Sequence, residues 1–381
     1  MNIELWMGAK GDMAVGKLWV ISTAGFDGVG DLSSIWQEYD LDRFKEGMST
    51  LFPNSGVSLE ELFAEVMTGD VLGAFTHFLG GNIQGMAESV AGLKNVMIWL
   101  IVLGIVSALL THFVEVFDKH QVADLSFYFL YLLLAAVLLK CFSQAALAAV
   151  ETLENIVLFI QLLVPTYLMA VGVATGTTTV SASYQLMVLL IYGVETILIG
   201  MVIPLIYSYL MLSVVNGIWI EEKLTLLIEL LEKGIGWILK AALGIVTGIS
   251  VFQAVISPVI DSLKANALQK AISAIPGIGN AADGVVELVV GSAVVIKNSI
   301  GIVLLILLLI LCAAPLLKIF LLALMLKGAA AFMGIVSDKR ITACANHTGD
   351  AGMLLFRVTG TAMLLFLICL SIIAATTNRG F

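Results

Sequence analysis

Residues 300–326 read IGIVLLILLLILCAAPLLKIFLLALML, with Lys318 as the one charged side chain among them. As a helix at about 1.5 Å per residue this run extends about 40 Å, more than the ~30 Å hydrocarbon core of a bilayer. It defines a membrane span, and its excess length together with Pro315 predicts a kink or a broken helix. Working outward, the same criterion picks out Val96–Phe113, Leu125–Leu147, Ile156–Val173, Leu186–Val215, Ile235–Val255 and Met353–Ala375. The run 186–215 is also too long for one straight crossing and contains Pro204, and Pro165 sits inside 156–173. The composition agrees. The chain is 60% hydrophobic and only 12% charged, with a mean hydropathy of +1.04, whereas soluble domains carry roughly 25% charged residues. Strands of an outer-membrane barrel alternate in polarity, and these runs do not. The expected fold is an all-α polytopic membrane protein with about seven transmembrane helices.

Two regions between and before the spans need separate treatment. Residues 1–94 carry 13 acidic and 5 basic side chains, a net charge of −8 out of the chain's −9. Residues 1–95 are therefore read as an acidic, helical, extracytoplasmic N-terminal region, and 96–381 as the transmembrane domain. Ser58-Leu59-Glu60-Glu61 has capping-box spacing, followed by Leu59, Leu62, Phe63, Val66 and Met67 on one helical face. Asp70, after Gly69, can start a second helix through Phe75 and Phe78. Leu18–Ile21 is too short for the apolar core of a signal peptide, so an export signal is either missing or replaced by the first span. Between the fourth and fifth runs, Leu224, Leu227, Ile228 and Leu231 oppose Glu222, Thr225, Glu229 and Glu232, an amphipathic helix suited to the membrane interface.

The stretch 257–298 is apolar but broken by Ser257-Pro258, Pro276-Gly277-Ile278-Gly279 and Asp283-Gly284. Prolines lack an N–H and glycines form helix poorly, so a re-entrant or interfacial hairpin ending near Lys297 is expected, as a conduit element or an assembly surface. Orientation stays open. The acidic N-terminus and Lys119 fit an outside N-terminus, but seven crossings would put Lys327, Lys339 and Arg340 outside, against the usual distribution of basic residues.

No catalytic, metal or nucleotide motif occurs: GxxxxGK[ST], HExxH and GxSxG are all absent. His77, His112, His120 and His347 read as boundary or loop residues. Cys141, Cys312, Cys344 and Cys369 read as small core residues rather than a metal or redox set. No cofactor is expected, and the acidic balance excludes nucleic acid as a partner. The candidate residues are ionisable groups inside spans, because charge in hydrocarbon is costly and tends to face protein or water. Glu195 is the clearest, either paired with Lys140 or Lys240 or lining an aqueous path. Lys318 is the other deep cation, while Lys240 and Arg357 lie close enough to span ends to snorkel. Gly172/Gly176 and Gly244/Gly248 have GxxxG spacing, read by default as packing within the chain.

Ordered strings add a resemblance. Leu163-Val164-Pro165 with Gly172, Val202-Ile203-Pro204-Leu205-Ile206 and Val215-Asn216 are similar to the stage III sporulation protein AE family. So are Pro276-Gly277-Ile278-Gly279 with Val285-Val286-Glu287, Lys297-Asn298-Ser299-Ile300-Gly301, Ala314-Pro315-Leu316-Leu317-Lys318-Ile319 and Ile335-Val336-Ser337-Asp338-Lys339-Arg340-Ile341. The similarity runs in order over roughly residues 40 to 380. It implies a non-enzymatic subunit of the sporulation channel of endospore-forming bacteria, multi-pass in the mother-cell membrane around the forespore. The implied partners are the other stage III sporulation A proteins, including an ATPase and ring-forming subunits, and a forespore-side protein across the intermembrane space, besides membrane lipid. A stand-alone small-molecule or ion transporter and a passive membrane scaffold are the other two readings.

Overall fold

The computed structural model describes the backbone at residues 51–52, at scattered positions between 61 and 109, and through 120–175, 189–219, 223–272 and 279–377. Side chains are described through 127–162, 189–219, 223–249, 301–335 and 337–371 and at 251, besides those early positions. Every regular element among the described residues is helical. Helix α1 covers 71–77, α2 His120–Thr175, α3 189–197, α4 Ile203–Asn216, α5 Thr225–Ile272, α6 Gly279–Val336 and α7 Lys339–Thr377. Among the described residues four stretches are long and apolar enough to cross a membrane: Phe127–Leu162, Leu189–Asn216, Gly301–Ile335 and Lys339–Ser371.

The largest departure from the sequence reading is α2. The runs at 125–147 and 156–173 were expected as two spans, yet both lie in one uninterrupted helix of 56 residues. No glycine or proline falls between Lys140 and Val164, so nothing there favours a turn. The polar residues between the two runs are spread around a helix. Thr152 is buried and donates its hydroxyl to the Ala148 carbonyl (2.6 Å), while Glu151 and Glu154 are exposed. Helix continues through Pro165 as well.

Pro204 is accommodated by a π turn, Leu198–Val202, in which the Ile203 N–H donates to the carbonyl of Leu198. Proline cannot donate and its ring crowds the preceding turn. Placed just after the π turn, Pro204 sits at the start of α4, where a missing N–H costs little. Pro315 lies inside α6, which runs on without a break in helical assignment. The amphipathic stretch after Asn216 is not a separate element but the first turns of α5. Its Ile228 is buried, in line with Ile235, Leu239, Ala242 and Val246 further along, whereas Leu227 is exposed.

The 257–298 stretch also differs in detail. Ser257-Pro258 lies within α5 and Asp283-Gly284 and Lys297 within α6, so neither pair interrupts the helix. Gly279 is the first residue of α6, and Pro276-Gly277 falls in 273–278, outside the described residues. In the N-terminal region the described positions agree with the expected faces. Leu62 and Val66 are buried, and Asp70 caps α1 by accepting from the Gly73 N–H (2.8 Å). Gly69 before it has φ 91°, a left-handed conformation suited to glycine.

Helix α7 is the hub, packed against α6, α2, α5 and α4. It meets α6 closely. A Cβ placed on Gly352 would lie 3.0 Å from the Ala323 Cβ, and one on Gly349 would lie 2.6 Å from the Lys327 Cγ. The α6–α7 turn is capped by Asp338, whose carboxylate accepts from the Arg340 N–H (2.8 Å). The Arg340 guanidinium lies 3.7 Å from the Phe127 ring centroid of α2. At the same end the Tyr131 hydroxyl of α2 donates to the Val214 carbonyl of α4 (2.7 Å). Asn216 there bonds Thr225 (3.2 Å) and the Leu224 N–H (2.8 Å), closing the α4–α5 connection. The starts of α2, α5 and α7 and the ends of α4 and α6 are therefore gathered at one end of the bundle.

Candidate functional site: ionisable groups within the bundle

Each sequence-selected charge has a defined place. Lys140 is exposed on α2, Lys240 exposed on α5, Lys318 half-buried on α6, Arg357 exposed on α7 and Glu195 half-buried on α3. Neither Lys140 nor Lys240 pairs with Glu195. The ion pairs among the described residues are Glu65–His77, Glu229–Lys233, Asp338–Arg340 and Asp350–Lys327. The charged group that acts on Glu195 is Glu154 of α2, so two carboxylates share this part of the bundle.

Depth along the bundle can be counted from the shared end at Tyr131, Val214, Thr225 and Cys344. At about 1.5 Å per residue, Lys140, Lys240, Lys318 and Arg357 stand roughly 13–22 Å from that end, and Glu195, Glu151 and Glu154 roughly 28–35 Å. The whole set thus occupies about 20 Å along the helices, less than the ~30 Å hydrocarbon thickness of a bilayer. Ionisable side chains at such depth face protein or water rather than lipid.

Closer to the shared end lies a second polar group that the sequence did not single out. Tyr209, buried on α4, has its hydroxyl 3.5 Å from His347 Nδ1 on α7. One turn on, Asp350 takes an ion pair from Lys327 (2.6 Å) and a hydrogen bond from Asn346 (3.2 Å). His347, expected at a boundary or in a loop, is part of a helix–helix contact. Buried Ser213, Thr348 and Thr359 return their hydroxyls to carbonyls of their own helices, the usual way of satisfying such groups in an apolar setting. Among the described residues no three His, Cys, Asp or Glu side chains come together as a metal site.

The glycine readings are also revised. Gly244 and Gly248 are exposed, and a Cβ on either would meet nothing within 4 Å, so they make no packing contact within the chain among the described residues. Gly172 lies in α2, its surroundings outside the described side chains, and Gly176 lies outside the described residues. Among the described residues, glycines closely approached from another helix include Gly349 and Gly352, which meet Lys327 and Ala323, and Gly104, which meets Met333.

Long apolar helices around a buried polar hub, with charged belts at membrane depth, define a polytopic helical membrane protein. Its residues 57–377 match the family model described as Stage III sporulation protein AE, and the chain belongs to that family. It is 25% identical over 282 residues to the Stage III sporulation protein AE of Bacillus subtilis (strain 168), which covers 73% of this chain and 70% of that one. No solved structure matches the chain. It is a sporulation-associated membrane protein.

Proposed function

We propose that this chain is a non-enzymatic membrane subunit of a multi-protein channel complex linking mother cell and forespore. Its place is the mother-cell membrane around the forespore. Its partners there are the other stage III sporulation A proteins, an ATPase and ring-forming subunits among them, with a forespore-side protein across the intermembrane space. The observation that carries this reading is the family match over 57–377, which takes in the described helices from α1 to α7. The chain's lack of a GxxxxGK[ST] run agrees with energy drawn from a partner.

The continuous α2 supports a six-crossing topology, with one crossing fewer than the apolar runs suggest. With the acidic N-terminal region outside, the gathered end of the bundle then lies on the cytoplasmic side. Lys327, Lys339 and Arg340 come with it, which removes the conflict with the distribution of basic residues. In this arrangement the 257–298 stretch forms the extracytoplasmic ends of α5 and α6. At about 1.5 Å per residue these helices reach some 70 and 87 Å from their cytoplasmic ends, well beyond the 40–45 Å of a whole bilayer.

Affinity purification of the tagged chain from sporulating cells, with mass spectrometry of what accompanies it, tests the assignment. Recovery with a secretion-type ATPase and ring-forming proteins is expected. A chain that purifies alone and moves a solute across liposomes would make it a stand-alone transporter. Recovery with partners, but with passage into the forespore intact in its absence, would make it a scaffold.

A further inference from the structure

Three helices of the bundle carry the same pattern of charge. On α5 no charged residue falls between Lys240 and Asp261, on α6 none between Lys297 and Lys318, and on α7 none between Arg357 and Arg379 in the sequence. The uncharged stretches, 241–260, 298–317 and 358–378, are 20 or 21 residues long. At about 1.5 Å per residue each measures about 30 Å as a helix, the thickness of a bilayer's hydrocarbon core.

The stretches also stand side by side. The α6–α7 crossing brings together Gly352 and Ala323, Phe356 and Phe320 (ring centroids 5.3 Å apart), and Gly360 and Leu316. Lys318 and Arg357 therefore lie at nearly the same level. Counted from the shared end at Thr225 and Cys344, Lys240, Lys318 and Arg357 stand about 20–23 Å away, and Asp261 and Lys297 about 52–54 Å. The three stretches share one near plane, at the three cations, and α5 and α6 share a far one.

A bilayer laid instead across the gathered end would enclose those cations. With them it would hold Glu229 and Lys233, both exposed on α5, and the Lys327–Asp350 pair. Charge in hydrocarbon is costly. Between the two planes the charged side chains among the described residues are Glu151, Glu154 and Glu195, on α2 and α3 alone. Phe129, Leu132 and Ile335, exposed at the gathered end, weigh for the lower position, but more than half of an ordinary protein surface in water is apolar. Lys240, Lys318 and Arg357 have no ion-pair partner among the described residues. Trp237, exposed about one turn before Lys240, adds the kind of side chain that gathers at headgroup level.

We infer that Lys240, Lys318 and Arg357 mark the headgroup level of one leaflet and bind the phosphates of its phospholipids. Their long aliphatic stems suit all three to that level. The gathered end, with its Tyr131–Val214 and Tyr209–His347 contacts, then projects about 20 Å beyond the hydrocarbon core. This goes beyond the proposed function and holds whichever leaflet faces the cytoplasm.

Photolabelling of the native full-length chain in phosphatidylglycerol vesicles tests the position, with a phospholipid carrying a diazirine at the end of its acyl chain. Acyl ends gather at the midplane, about 15 Å from the edge of the core, so mass spectrometry should find the label on α5 centred within 245–255. Label centred within 226–237 would lay the bilayer across the gathered end and overturn the inference. The contact itself is tested with Lys240→Gln, Lys318→Gln and Arg357→Gln. Each charge removed is expected to weaken phosphatidylglycerol binding by about fivefold, read by native mass spectrometry from detergent. Unchanged binding by folded variants would refute the phosphate contact. Displacement of the lipid by excess inorganic phosphate would make this a site for free phosphate and overturn the lipid assignment. Thermal unfolding shows which variants are folded; if the triple variant is not, Lys240→Gln, at an exposed position, gives the same reading alone. Sporulation partners are absent from both experiments, so failure here would leave the proposed function standing.

Discussion

The α6–α7 contact gives the most direct test of the packing. A Cβ added at Gly352 stands 3.0 Å from the Ala323 Cβ and 3.3 Å from the Ala323 Cα, against the 3.5–4.0 Å preferred between carbon atoms. Gly352→Ala therefore needs the helices to separate by about 0.5–1 Å. That loss is offset in part by the better helix propensity of alanine, worth up to about 1 kcal/mol, so the variant should be near neutral. Gly352→Leu adds three further carbons where two helix backbones meet, and forced overpacking costs about 1–3 kcal/mol. Since Gly349 one turn earlier lies as closely against Lys327, the helices cannot simply pivot about this point. Equilibrium unfolding in mixed detergent, followed by circular dichroism, reads the difference as a lower midpoint for Gly352→Leu. The double variant with Ala323→Gly should recover part of the loss, a coupling of about 0.5–3 kcal/mol as found for residues in contact. A Gly352→Leu midpoint equal to that of the native chain would refute the close crossing. So would a double variant whose losses simply add.

Three further outcomes are expected. Tyr131→Phe removes the hydroxyl that the buried Val214 carbonyl accepts and should destabilise the chain by about 1–3 kcal/mol, seen as a lower unfolding midpoint; an unchanged midpoint would mean that this bond does not hold α2 to α4. For the six-crossing topology, a cysteine at Ser55 should react with an impermeant thiol reagent in intact host cells, and one at Lys339 only after lysis; labelling of both from outside would restore seven crossings. Glu195→Gln should impair sporulation while leaving protein abundance near normal, since charge is lost with little change in volume. Immunoblotting separates this from a collapse in abundance, which would mark a structural role, and normal sporulation would remove Glu195 from the functional residues.

The membrane class was legible because its signal is local: an apolar run such as 300–326 declares its length in the sequence itself. Turns between such runs are less legible. Glu151, Thr152, Glu154 and Asn155 interrupt the hydropathy of α2, and hydropathy alone cannot tell a loop from a polar stripe on one side of a continuous helix. The absence of Gly and Pro from Lys140 to Val164 was the available clue. At Pro258 the error ran the other way, since a single proline did not end its helix. The polar contacts of Tyr131 with Val214 and of Tyr209 with His347 join residues 83 and 138 positions apart, and no pattern of spacing foretells which helices meet. Glu195 stands out by its depth in a span, whereas Glu154 falls between two apolar runs and carries no such signal.

The π turn before Pro204 sets how the two halves of its span face their surroundings. Val194, Leu198, Val202, Ile206, Leu210 and Val214 are all buried, one residue in every four. In a plain α-helix of 3.6 residues per turn such a row would wind through about 200° from first to last. One π turn takes up an extra residue and so winds the row back by about 100°. Leu198–Val202 thus works as an insertion of one residue, keeping a fourfold row against the bundle where an ordinary helix would lose it. Were 198–202 to wind as a regular α-helix with no residue removed, that alignment would be lost. Glu195 would then swing by about 100° relative to Tyr209, away from Glu154 if Tyr209 keeps its place beside His347.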